Sequence, residues 1–203
     1  MVAPNTSLRA DDVRLVWIDL ETTGLDPSRG LVLEVGVIIT DLGLCEFARR
    51  SVVFRHPRQE ILEVIDDVPL RMHAASGLLL ECFAADGVEG VPTWASWHQV
   101  IDLVTAHRRR GFRLHLAGSS VHFDRAWLAE HCPALLELCH HRILDVSGYL
   151  VAFPGLLGDY SSRPVAHRAI ADLEFSIEQH RAMRALLGLQ EAPLRGLGQE
   201  VGE

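Results

Sequence analysis

The chain has 203 residues, of which 48% are hydrophobic and 23% are charged. A chain of this length can bury one full core, and the composition excludes a disordered or repetitive protein. The net charge of −8 argues against tight nonspecific binding of long nucleic acid, which relies on many Lys and Arg contacts to phosphates. We expect one domain over residues 1–203, with a core at about residues 14–187 and flexible termini.

The N-terminal residues and the cysteines predict where the protein is located. The polar segment from Met1 to Ser7 lacks the apolar region of a signal peptide. No stretch approaches the ~18 consecutive apolar residues of a membrane helix. The four cysteines contain no C-x-x-C pair, which is typical of free thiols in a reducing compartment. We therefore expect a cytoplasmic protein without a membrane partner.

The first part of the chain predicts three strands. Residues 14–20 and 31–40 are apolar runs, and the turn residues 41–43 lead into a further extended run that ends at Phe54. Strands joined by such short connections pair in an antiparallel arrangement. We expect a three-stranded antiparallel meander.

Two acids interrupt the first predicted strand. Asp19 and Glu21 lie one residue apart in an otherwise apolar run. Because side chains alternate faces along a strand, the two carboxylates point the same way, with Cα atoms about 6.5 Å apart. Such a pair is costly to desolvate unless cations or donors neutralise it. Two divalent metal ions held by carboxylates are a standard device for phosphodiester cleavage. A solvated strand end is the alternative interpretation.

Helices and two further strands follow. Apolar residues at helical spacing predict helices at Pro57 to Val68, Thr93 to Arg110, His122 to Glu130 and Val165 to Leu187. Strand character is found at Phe112 to Ala117 and at residues 142–146. The segment 155–164 is rich in Gly, Ser and Pro and predicts a loop. The whole pattern is that of an α/β protein.

Three residues of the second half are candidates for the same site. Asp124 lies in the first turn of a helix, where an acid is often only a partner of the helix dipole. His167 and Asp172 are five residues apart, which rotates the side-chain direction on a helix by about 140°. They can share a site only if His167 lies at or before the first turn, which Pro164 favours. A histidine beside acids and metals is well suited to act as a general base.

Together these positions resemble the DEDDh class of 3′–5′ exonucleases. The matching residues, in chain order, are Asp19, Glu21, Asp124, His167 and Asp172. Three blocks are also similar to those of the oligoribonucleases within that class: Trp17–Leu25, His73–Leu78 and Arg142–Ser147. Each block is short, but their occurrence in this order is specific. The resemblance covers about residues 14–187.

The resemblance implies a fold and a catalytic set. The fold is RNase H-like, an α/β domain with a mixed five-stranded sheet and helices on both faces. Two Mg²⁺ or Mn²⁺ ions would be bound by Asp19, Glu21, Asp124 and Asp172. His167 would take a proton from the attacking water. A single exonuclease domain of this kind would release 5′-mononucleotides from short single-stranded RNA.

The resemblance also assigns residues to substrate binding. They are Gly24, Leu25, His73, Ser120, His141 and Arg142. Leu25 would be wedged against a base, and Arg142 would meet the 5′ phosphate of a very short oligonucleotide across a homodimer. The chain departs from the family at Thr22, at His141, which replaces a tyrosine, and at Val68, which replaces an aromatic residue. Because stacking on an aromatic side chain is worth about 1–3 kcal/mol, we expect a weakened preference for dinucleotides.

Two other functions remain open from the sequence. A DNA or RNA 3′-end trimming or proofreading exonuclease of the same class would use the same catalytic residues, and Thr22 is more typical of such members. A non-catalytic nucleic-acid-binding module would be expected to have lost one or more of the acids, and none is missing. We therefore expect a metal-dependent 3′–5′ exonuclease for short oligoribonucleotides.

Overall fold

Five strands form one mixed sheet in the computed structural model, which describes residues 14–83, 93–108, 114–155 and 166–189. The strands are β1 (Leu15–Thr22), β2 (Val32–Thr40), β3 (Glu46–Val53), β4 (His115–Gly118) and β5 (Leu144–Asp145). Their order across the sheet is β3-β2-β1-β4-β5. The first three strands pair antiparallel, and β4 pairs parallel with β1 and with β5. The predicted meander and mixed five-stranded sheet are confirmed.

The helices of the described residues lie between and after these strands. They are α1 (Arg58–Val64), α2 (Asp67–Ala75), α3 (Leu78–Cys82), α4 (Thr93–Ala106), α5 (Val121–His131), α6 (Pro133–Leu138), α7 (Ser147–Ala152) and α8 (Ala169–Leu186). The short helices α3, α6 and α7 were not predicted, because five or six residues carry too little periodicity to reveal a helix. No described helix has the length and apolar character that crossing a membrane requires.

The helix predicted at Pro57 to Val68 is wrong in its end. It stops as α1 at Val64, and Ile65 is extended. The N–H of Asp66 donates to the carbonyl oxygen of Thr23 at 2.8 Å, a contact that a continuous helix would not allow. The chain therefore turns here and α2 begins at Asp67. This turn brings α2 against the end of β1.

Some predictions lie outside the described residues. They are the flexible termini (residues 1–13 and 190–203), the last part of the helix at Thr93 to Arg110, the start of the strand at Phe112, and residues 156–164 of the loop. The helix predicted from Val165 begins at Ala169 instead.

Both faces of the sheet are covered by helices, as predicted. Val16, Ile18 and Leu20 of β1 lie in a core that includes apolar side chains of α4, α5 and α6. Leu15 and Trp17 point the other way and pack with side chains of α8. Each fully buried large apolar side chain contributes about 1.5–3 kcal/mol. The alternation along β1 therefore sets which face each of its acids must take.

The site is determined by one end of the sheet. β1 and β4 run parallel, so their carboxyl ends meet at the same edge. Asp19 and Glu21 lie near that edge on the face that α8 covers, because they share the parity of Leu15 and Trp17. α5 starts just after β4 at the same edge.

Candidate active site

Three acids meet at the carboxyl end of β1. Carboxylate oxygens of Asp19, Glu21 and Asp172 all lie within 4.8 Å of one another. The first two come from β1, and Asp172 comes from the first turn of α8. Oxygen ligands at this spacing are the kind that hard divalent cations take. The alternative of a solvated strand end does not apply, since Glu21 is buried and Asp19 is partly buried.

Asp124 reaches the same acids from α5. Its carboxylate is buried, and Oδ1 accepts a hydrogen bond from the backbone N–H of Leu20 at 2.9 Å. Leu20 lies between the two acids of β1, so this bond fixes Asp124 beside them. Within the described residues, Asp124 is outside the 4.8 Å group of oxygens. Its negative charge nevertheless acts on Asp19.

The acids raise one another's pKa values. Burial, and then the charges of Asp124 and Glu21, raise the pKa of Asp19 well above its ordinary value. Burial and the charge of Asp172 raise the pKa of Glu21 to about 8. Burial raises the pKa of Asp124 to about 7, against the opposing hydrogen bond from Leu20. The protein therefore concentrates negative charge that a bound cation would neutralise.

His167 lies before the start of α8, as sharing a site with Asp172 requires. The helix begins at Ala169, and Arg168 is the residue at its N-cap. His167 has a φ of 49°, in the left-handed region. It lies near His73, whose pKa it helps to lower. The predicted relation between His167 and the first turn is confirmed.

The start of α8 is fitted closely to β2. A Cβ on Gly36 would lie 2.8 Å from the Cβ of Ala169, so glycine and alanine are both needed for this approach. Glu34, two residues earlier on the same face, accepts hydrogen bonds from Arg168 and from the N–H of Ala169. Glu34 and Arg168 were not predicted from the sequence. The available signal was an acid at position 34 inside an apolar run, the same signal that identified Asp19.

A cavity of about 430 Å³ adjoins Glu21. Of the predicted substrate-binding residues, Gly24, Leu25 and His73 line it. The remaining lining residues are Leu20, Thr22, Asp66, Val68, Pro69, Met72 and Phe123. A Cβ on Gly24 would lie 2.4 Å from an Asp66 carboxylate oxygen, so a larger residue here would require the exposed Asp66 side chain to move. The cavity has the mainly apolar walls that suit a nucleobase.

Leu25 and His73 differ in what they can contact. The Leu25 residue is 81% exposed at the cavity, a position from which it can touch a ligand. His73 is only 1% exposed, and its Nε2–H donates to the carbonyl oxygen of Thr22 at 3.0 Å. Its Nδ1 lies 3.8 Å from Glu21 Oε2 and has no hydrogen-bond partner among the described residues. Burial lowers the pKa of His73, so the neutral ring faces Glu21.

Ser120 lies at the same edge as the acids. It follows β4 in a left-handed conformation with a φ of 55°, and its side chain is exposed. Its N–H donates to Asp145 Oδ1 at 2.9 Å. Ser120 is not among the residues that line the 430 Å³ cavity, and its role in substrate binding stays a prediction.

His141 and Arg142 lie at the other end of the sheet. The carbonyl oxygen of Arg142 accepts a hydrogen bond from His115 Nδ1 at 3.0 Å. His115 pairs with Leu15 of β1. Asp19 lies four residues further along that strand, so the Cα atoms of Leu15 and Asp19 are about 13 Å apart. Within one chain, the structure does not bring Arg142 or its neighbour to the acids.

Comparison with known proteins agrees with this geometry. The exonuclease family model (RNase_T) matches residues 16–183. An oligoribonuclease of Corynebacterium glutamicum (strain R) is 33% identical over 177 residues, which cover 85% of this chain and 79% of that protein. An oligoribonuclease of Tropheryma whipplei (strain Twist) is 32% identical over 182 residues, which cover 88% of this chain and 92% of that protein.

Solved structures are similar in fold. The zinc-bound form of the E. coli ExoI complex with single-stranded DNA has a TM-score of 0.63 at 12% identity, over 87% of this chain and 41% of that one. Exonuclease I of Methylocaldum szegediense has a TM-score of 0.60 at 17% identity, over 85% of this chain and 40% of that one. The chain thus spans about two fifths of these exonucleases, and the likeness confirms the RNase H-like fold. The chain belongs to the exonuclease family, as an oligoribonuclease-like member of the DEDDh class of 3′–5′ exonucleases.

Proposed function

We propose that the chain is a metal-dependent 3′–5′ exoribonuclease that hydrolyses short oligoribonucleotides and releases 5′-mononucleotides. The observation that carries this proposal is the group of Asp19, Glu21 and Asp172 oxygens within 4.8 Å, beside a cavity large enough for a nucleoside. A non-catalytic binding module has no need of such a costly cluster of buried acids. The names of the curated relatives support RNA as substrate.

The acids fit divalent metal ions. The pKa values of Asp19 and Glu21 are raised, which means that burial and the neighbouring acids make ionisation of these carboxyl groups unfavourable. Asp19, Glu21, Asp124 and Asp172 offer only carboxylate oxygens, the ligands that Mg²⁺ and Mn²⁺ prefer. We propose that these four residues hold two such ions. When bound, a pair of ions activates water and stabilises the leaving oxygen of a phosphodiester.

His167 is the proposed general base. Its backbone lies just before the helix that carries Asp172, a position that supports this proposed role. A neutral imidazole can accept a proton from an attacking water. The four acids are unsuited to this task while they are neutralised by metal ions.

The proposed substrate enters the cavity beside Glu21 with its 3′-terminal nucleotide. Gly24 lets the backbone approach, and the exposed Leu25 can wedge against a base. Val68 forms part of the wall where an aromatic residue would stack. Loss of about 1–3 kcal/mol of stacking should weaken the preference for dinucleotides. His73 and Ser120 complete the proposed substrate-binding set at this end.

We also propose a cytoplasmic homodimer built from a single exonuclease domain. Arg142 carries a guanidinium that can hold a terminal phosphate with two parallel hydrogen bonds, and His141 precedes it. Because both lie away from the acids of their own chain, a second copy is the way to place them near a substrate. The four cysteines are free, which suits a reducing compartment.

Substrate length and sugar separate this proposal from 3′-end trimming. We would assay a dinucleotide, a five-mer and a twenty-mer, each as 5′-phosphorylated RNA and as DNA, with Mg²⁺ or Mn²⁺. The proposal predicts fastest turnover for RNA of two to about five nucleotides. Equal rates on the twenty-mer, or a preference for DNA, would favour the trimming or proofreading alternative that Thr22 suggests.

A further inference from the structure

We propose that the ion pair between buried Glu34 and Arg168 positions His167. The inference rests on the proposed role of His167 as general base. Glu34 lies on β2 directly opposite Glu21 on β1, and it is 2% exposed. Although it neighbours the acids, its carboxylate points to the start of α8 and, within the described residues, is outside their group of oxygens. Glu34 is therefore available to hold the helix start.

Donors occupy both oxygens of Glu34. Arg168 donates from Nε to Oε2 at 3.0 Å and from Nη2 to Oε1 at 3.4 Å. The backbone N–H of Ala169 donates to Oε2 at 3.3 Å, and the Ser51 hydroxyl donates to Oε1 at 2.5 Å. On its outer side Arg168 also donates to Glu81 at 2.8 Å. One carboxylate thus fixes a side chain and a backbone group of two consecutive residues.

These two residues follow His167 directly. A left-handed conformation is unfavourable for a residue with a side chain, so His167 would relax if its neighbours could move. Arg168 and Ala169 cannot move easily, because Glu34 binds both and Gly36 admits Ala169 only at close contact. The pair therefore holds the backbone that aims the imidazole. Asp172 is held further along by regular helix geometry, with its N–H bonded to the carbonyl oxygen of Arg168.

The simpler alternative is that the pair only docks α8 on the sheet. A second ion pair allows the two roles to be separated. Arg49 of β3 donates to Glu174 of α8 at 2.5 Å, so it also joins the sheet to this helix. That pair is exposed, and Glu174 lies beyond the first turn of α8, which carries Asp172. Glu174→Gln is therefore a matched control for Glu34→Gln.

The test compares these variants in single-turnover hydrolysis of a dinucleotide. We expect Glu34→Gln to lower the rate constant on the order of 10²-fold with an unchanged half-saturating enzyme concentration, because small misplacement of a catalytic group is that costly. Glu174→Gln should keep the wild-type rate. Arg168→Lys keeps the charge but loses the planar guanidinium, so its rate constant should also be lower than that of the wild type. In a His167→Ala background, Glu34→Gln should cost nothing further, since coupled residues are not additive.

Two measurements do not depend on turnover. Calorimetry should show that Glu34→Gln still binds Mn²⁺, with an affinity altered only by the loss of a charge that also acts on Asp19 and Glu21. The NMR signals of the His167 imidazole should shift in Glu34→Gln and should not shift in Glu174→Gln. Wild-type turnover by Glu34→Gln, an equal loss with and without His167, lost Mn²⁺ binding, or an unshifted His167 signal would each overturn the inference. An inactive wild-type protein would refute the proposed function instead, and the NMR comparison would still decide whether Glu34 positions His167.

Discussion

The two ends of the sheet differ in what one chain can supply. At the carboxyl ends of β1 and β4, segments far apart in sequence bring together Asp19, Glu21 and Asp172, with a cavity beside them. At the other end, Arg142 and His141 lie exposed beside the first residue of β4. The first end concentrates acids whose pKa values are raised, and the second carries an arginine remote from those acids. We infer that one chain supplies all the acids needed for hydrolysis, whereas selection of substrate length requires Arg142 of a second copy.

The largest expected effect is at the acidic end. Asp19→Asn should lower hydrolysis by several orders of magnitude, because a neutral amide cannot hold the metal ions that the four acids would bind. The metal-free variant should melt at the same or a higher temperature than wild type, since carboxylate repulsion is relieved. Hydrolysis and thermal melting are measured side by side. Undiminished cleavage by Asp19→Asn, or by enzyme treated with EDTA, would contradict the metal proposal.

A smaller loss is expected at the general base. His167→Ala should lower the chemical step on the order of 10²–10⁴-fold while leaving Mn²⁺ binding intact. The rate of the wild type should rise with pH, because a base must be neutral to accept a proton, and the variant should lose that rise. Stopped-flow pH profiles of both proteins test this. A variant with the wild-type rate would place the base elsewhere.

The acidic end should also govern the stability of the metal-free protein. The folded-state pKa of Glu21 is raised from 4.5 to about 8, so the folded state binds more protons than the unfolded state between these values. The stability that Glu21 contributes is therefore fully present below pH 4.5 and is lost as the pH rises through about 8. The loss is on the order of a few kcal/mol. Urea unfolding across this pH range should show that the free energy of unfolding of the wild type falls as the pH rises. The fall should be weaker in Glu21→Gln and absent in the wild type with Mn²⁺. Stability that rises with pH would contradict the raised pKa.

The opposite end should show the smallest and most selective effect. Arg142→Ala removes a hydrogen bond to a charged group, which is worth about 1.5–3 kcal/mol. This energy corresponds to a loss of rate on the order of tenfold to a hundredfold. We expect this loss on a 5′-phosphorylated dinucleotide and little change on a twenty-mer, which makes other phosphate contacts. Competition between the two lengths measures it, with the dinucleotide lacking its 5′ phosphate as the control. A loss that is equal at every length would remove Arg142 from length selection.

Much of the acidic end could be predicted from the sequence because its signals are local. The parity of Asp19 and Glu21 along an apolar strand places both on one face. The helix start was predicted four residues too early, at Val165, so the sequence placed His167 in the first turn rather than before the helix. Gly24 was identified from the resemblance, and in the structure it lines the cavity beside Asp66.

Other features depend on pairs that lie far apart in the chain. Glu34 and Arg168 are separated by 134 positions, so no local pattern joins them. The turn that ends α1 depends on a hydrogen bond between Asp66 and Thr23, again across the fold. Hydrophobic periodicity reports only on residues that are close in sequence, within one helix or strand, so it cannot predict such long-range contacts.

The central claim is that a complete site combines the acids of one copy with Arg142 of another. Mixing Asp19→Asn with Arg142→Ala under conditions that exchange subunits tests this claim directly. Each variant alone should be poorly active on the dinucleotide. In the mixed dimer, one site would have intact acids from the Arg142→Ala copy and an intact Arg142 from the Asp19→Asn copy, so we predict that activity returns. A mixture no more active than the sum of its two components, or a monomer in light scattering, would contradict the account.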